Sequence, residues 1–62
     1  MVAYRIYFLD GVNRFTRAEN VEAAAAQDAV RKAHQMRGES INCEIWCGRN
    51  LVARVMADDW PD

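Results

Sequence analysis

Residues 41–57 fold back on themselves in one way that meets two demands at once, and no other stretch constrains the chain as much. Gly48, Arg49 and Asn50 form a three-residue loop, with Asn50 in the left-handed conformation that asparagine tolerates. Cys47 then faces Leu51, Ile45 faces Ala53, Cys43 faces Val55 and Ile41 faces Ala57, all on one side. On the other side Trp46 faces Val52, Glu44 faces Arg54 and Asn42 faces Met56. This register gathers an apolar set on one face and sets opposite charges across from each other on the second.

The N-terminal residues pose a similar pattern with a looser turn. Val2, Tyr4, Ile6 and Phe8 alternate with Ala3, Arg5, Tyr7 and Leu9, which reads as a strand apolar on both faces. Asp10-Gly11 marks a turn, since glycine accepts positive φ. A two-residue turn sets Ile6 opposite Phe15; a four-residue loop over residues 10–13 sets Phe8 there. Either register buries Phe15. The second strand, about residues 14–21, puts Arg17 and Glu19 on the same side as Phe15 and Val21. It is a charged edge strand, or a bulge turns Ala18 inward.

Between the hairpins, Ala26, Ala29, Val30, Ala33 and Met36 make an apolar stripe at helical spacing. Asp28 is placed to pair with Lys32 one turn on, and Gly38 is a C-terminal stop. The helix starts at an Asn20 cap, or else the strand runs to Ala23 and the helix begins near Ala24. Residues 58–62, with three aspartates and Pro61, read as a mobile acidic tail behind a single domain of residues 1–57. The fold class is therefore α+β: a four-stranded, mainly antiparallel sheet from two β-hairpins (ββαββ), with one helix on one face. Strands one and four, apolar on both faces, suit the centre. That favours a β-grasp-like order 2-1-4-3 with those two strands parallel, and leaves 2-1-3-4 as the alternative.

With 62 residues, a core of this size stabilises by only about 3–5 kcal/mol, and association is a common supplement. The start of the chain has no signal-peptide pattern and no run long enough to span a membrane, so a cytoplasmic protein is expected. Cys43 and Cys47 are about 13 Å apart along a strand, beyond the reach of a disulfide, so reduced thiols facing the core are expected. Their spacing is not that of a zinc site, and His34 adds a single further ligand. Ser40 and Thr16 lie in no nucleophile motif, and Gly11, Gly38 and Gly48 stand apart from any phosphate-binding loop. Catalytic, metal and cofactor-binding residues are all read as none, and the chain is not expected to be an enzyme.

Tyr4-Arg5-Ile6-Tyr7-Phe8-Leu9-Asp10-Gly11, Glu44-Ile45-Trp46 and Val52-Ala53-Arg54-Val55 resemble a group of bacterial proteins of about this length. The resemblance spans most of the chain up to Ala57. It implies a ββαββ pattern and brings no activity with it. Those proteins carry acidic residues before the helix, where this chain has Ala23 to Ala26.

Function is expected on the face of the sheet that the helix leaves open. Tyr7, Leu9, Trp46, Val52 and Met56 fall there, with Arg5 and Arg54 among them, a mixture that interfaces enrich. The leading expectation is an interaction module: a homodimer, or an adaptor for another protein, with Trp46 as anchor. The alternative is single-stranded nucleic-acid binding, with Tyr7 and Trp46 stacking bases and Arg5, Arg14 and Arg54 meeting phosphates. The net charge of −1 weighs against it.

Overall fold

The computed structural model describes residues 1–38 and 42–56. Four strands and one helix follow in the order β1 (Val2–Leu9), β2 (Phe15–Ala23), α1 (Ala26–Met36), β3 (Asn42–Cys47) and β4 (Asn50–Val55). They form the expected α+β domain, a single sheet with every neighbouring pair antiparallel. The strand order is β2-β1-β3-β4, the alternative rather than the favoured order, and no parallel pair occupies the centre. Apolar residues on both faces of the fourth strand had suggested a central place. In the fold Val52 and Met56 are instead exposed, and β3 takes the centre, with Cys43 and Ile45 fully buried.

The core lies between the inner face of the sheet and the helix. Ile6, Phe8, Cys43 and Ile45 are fully buried, and Tyr4, Ala23 and Val55 complete the set from the strands. Ala29 and Ala33 are fully buried on the helix, so their small side chains bring its backbone close to the sheet. Val30 and Met36 pack beside them. The strand runs on to Ala23 and the helix begins at Ala26, after an extended Ala25 with no side-chain cap. Asn20 therefore sits in mid-strand. Gly38 ends the helix with φ +58, the left-handed stop expected of it. Asp28 pairs with Arg31 at 3.5 Å rather than with Lys32. Lys32 donates instead to the carbonyl of Glu22, tying the helix to the end of β2.

Both hairpins differ from expectation at their turns. In the first, residues 10–14 form the loop and the left-handed residue is Asn13, φ +62, not Gly11. Asp10 organises that loop. Its Oδ1 accepts from the amides of Val12 and Arg14 at 2.9 and 3.0 Å, and its Oδ2 accepts from Arg14 Nε at 3.1 Å. These donors, the two amides foremost, hold its carboxyl below the ordinary value of 3.8. A bulge follows: Leu9 faces Phe15 but Phe8 faces Arg17, so Thr16 is the extra residue, its hydroxyl donating to the Phe8 carbonyl at 3.2 Å. Neither expected register for Phe15 occurs, and the bulge moves that side chain out of the core.

β2 is the charged edge strand the sequence suggested. Arg17 and Glu19 pair at 3.4 Å at the margin of the core, and the Arg17 guanidinium lies 4.4 Å above the centre of the Phe8 ring. In the second hairpin Cys43, Glu44 and Ile45 face Val55, Arg54 and Ala53 as expected. The loop has two residues, not three. Gly48 carries the positive φ of +60, Cys47 faces Asn50 and Trp46 faces Leu51, leaving Val52 as a bulge. Pairings expected of Ile41 and Ala57, and the tail of residues 58–62, lie outside the described residues.

Candidate functional site

The helix packs on one face of the sheet, and the other face is assembled by β1, β3 and β4 in cross-strand rows. Arg5 faces Trp46, which faces Leu51; Tyr7 faces Glu44, which faces Arg54; Leu9 faces Asn42. These rows bring together most of the residues singled out from the sequence. Arg5 and Arg54 are exposed, Val52 and Met56 each keep about 41% of their surface, and Tyr7 and Trp46 are half-buried. Leu9 is buried, a floor rather than a point of contact.

Glu44 is the hub of the polar contacts. Its Oε2 accepts from Arg54 Nη2 at 3.0 Å and its Oε1 accepts from the Trp46 indole Nε1 at 3.3 Å. Trp46 is therefore fixed by a carboxylate two residues away on its own strand, so its ring is oriented before any partner arrives. Arg5 donates from Nε to the Tyr7 hydroxyl at 3.0 Å and from Nη1 to Asn20 Oδ1 at 3.0 Å, with its guanidinium 5.3 Å from the Tyr7 ring centre.

Phe15 was assigned to the core, and the structure places it on this outer face with 65% of its surface exposed. Its ring lies 5.4 Å from that of Tyr7 at an angle of 57°, an edge-tilted aromatic contact. Arg49, at the tip of the second turn, also joins the site. Two shallow depressions meet at Phe15 and Glu44. One, about 490 Å³, lies among Arg5, Tyr7, Trp46 and Arg49; the other, about 330 Å³, lies over Leu9 and Asn42 beside Arg54 and Met56. The signal for Phe15 was present in the sequence: it shares strand parity with Arg17 and Glu19, and one extra residue in that strand separates it from them.

Cys43 lies under the opposite face, fully buried, where burial pushes its thiol up to about 11; Cys47 is half-buried, and both are free. Among the described residues no group of three or more His, Cys, Asp and Glu side chains is placed to hold a metal ion. No helix among them is long and apolar enough to cross a membrane. Compared with protein-family models, curated proteins and solved structures, the chain matches none.

Proposed function

We propose that this chain is a small cytoplasmic protein-interaction module with no catalytic role, and that it docks through the outer face of its sheet. The observation that carries the reading is the position of Phe15. A bulge lifts a phenylalanine out of a small core and lays it, two-thirds exposed, against Tyr7 on the sheet face that none of the described elements covers. A domain with so little core to spare gains less in folding from one tilted ring contact than from a buried phenylalanine. Phe15, Leu51, Val52 and Met56 are all large apolar residues with more than 40% of their surface open. Together with half-buried Tyr7 and Trp46 they form the apolar centre and arginine rim that interfaces enrich.

On apolar contact alone, two kinds of protein would suit such a face: a second copy, giving a homodimer, or another chain for which this one is an adaptor. The slab measures 31 by 25 Å across, so an interface of the standard ~800 Å² per partner would take up nearly the whole of that face. Binders selected from a random peptide library against the immobilised domain test the reading. They should lose binding when Met56→Ser or Trp46→Ala is introduced and keep it when Lys32→Ala alters the helix. Binders that respond only to the helix variant would contradict it.

A further inference from the structure

The outer face is opposite in sign to the chain as a whole, and that narrows what covers it; this inference rests on the interaction reading above. The chain carries a net charge of −1. Its two outer depressions are nevertheless lined by Arg5, Arg49 and Arg54 against one carboxylate, Glu44. Both oxygens of Glu44 are already engaged, by Arg54 and by the Trp46 indole. Arg5 donates to the neutral oxygens of Tyr7 and Asn20. Among the described residues, neither Arg5 nor Arg49 has a carboxylate at ion-pair distance. Guanidinium groups beside aromatic rings favour planar, two-point pairing with carboxylates.

A second copy on this face would set the three arginines close to their own images; among the described residues Glu22, on the same face opposite Ala3, is the one carboxylate left to receive them, poor complementarity at one against three. A single-stranded nucleic acid would meet the arginines and the exposed Phe15 ring, but Tyr7 and Trp46 would offer it little further stacking surface. Tyr7 already has Phe15 and Arg5 against it, and the carboxylate of Glu44 stands beside Trp46 where phosphates would pass. We infer that the occupant is a segment of another protein carrying acidic side chains around one large apolar residue. The apolar group covers Phe15 and Tyr7, and the flanking carboxylates reach Arg5 and Arg49.

Two synthetic peptides of about twelve residues test this by amide-shift titration of the labelled full chain. One has glutamates around a central tryptophan, and the other has lysine at every glutamate. The acidic peptide should shift the amides of Arg5, Tyr7 and Trp46, bind about tenfold or more tighter than the lysine peptide, and weaken steeply between about 50 and 500 mM salt. The double variant Arg5→Glu with Arg49→Glu should reverse that preference. Equal binding of both peptides on this face would overturn the charge inference and leave the interaction surface standing. Shifts confined to the helix, or none, would overturn both. A salt-independent dimer through Phe15, or an oligothymidine binding the same amides more tightly than the acidic peptide, would replace the acidic segment with that occupant.

Discussion

Phe8 has no exposed surface, lies in β1, one of the two central strands, and carries the Arg17 guanidinium against its ring. Truncation to alanine removes that packing and leaves a cavity, at a cost of about 3–5 kcal/mol. That is comparable to the net stability of a domain this small, so Phe8→Ala should show no cooperative thermal transition by circular dichroism. A variant melting near the wild type would place this side chain outside the core. The cysteines differ in a way that labelling should resolve. Half-buried Cys47 should react with a thiol reagent in the native state, and Cys43 only after unfolding. Cys43 also makes stability pH-dependent. Its folded value near 11 lies above the ordinary 9.0, chiefly through burial. The unfolded chain therefore gives up that proton first as pH rises, and stability present below pH 9 falls by roughly 1–3 kcal/mol towards pH 11. Urea midpoints in reductant at the two ends of that window check the sign, and Cys43→Ala should flatten the slope.

At the scale of elements, the two turns decide which side chains the sheet presents. Asp10 holds the first loop through two amides and the Arg14 guanidinium. With its carboxyl lowered in the fold, that contribution is present above the ordinary carboxylate value and is lost as pH falls through the folded one. Asp10→Ala should therefore loosen residues 10–14, raise their hydrogen exchange, and remove the acid dependence of that exchange. Loop exchange unchanged from wild type would show that the carboxylate does not organise the turn. Alternation and charge pairing were enough to give β1, the helical stripe, the Gly38 stop and the Glu44–Arg54 row. They were not enough for the turns. A three-residue loop, and a two-residue loop followed by a bulge at Val52, give the same pairing from Ile45 onward, so the core cannot tell them apart. A bulge at Thr16 likewise leaves Arg17, Glu19 and Val21 on their side while sending Phe15 to the other. Strand order was less legible still, because exposed Val52 and Met56 on an edge strand look, in sequence, like the buried side of a central one. Of the rows on the outer face only Glu44–Arg54 was legible; Trp46 was set opposite Val52 rather than Leu51, the rows joining β1 to β3 depended on a strand order the burial pattern did not give, and Phe15 and Arg49 were left out.

For the molecule as a whole, one face is closed by a helix rich in alanine and the other is covered by none of the described elements, apolar at its centre and lined by arginines. Coulombic attraction to an acidic partner is screened by salt, whereas apolar contact is not, so the two contributions separate in a salt series on any one binder. The free chain, with its arginines repelling their copies, should remain monomeric by light scattering at low salt and micromolar concentration. A mass of twice the chain there would mean a self-complementary face. If the bulge turns Phe15 outward for contact rather than for folding, Phe15→Ser separates the two when stability and peptide binding are measured on the same sample. The unfolding free energy from urea should fall by no more than about 1.5 kcal/mol, the contribution of one exposed aromatic contact, together with at least about a tenfold loss of affinity for the acidic peptide. A loss of about 3 kcal/mol in stability, as for a buried phenylalanine, with peptide affinity unchanged, would contradict it.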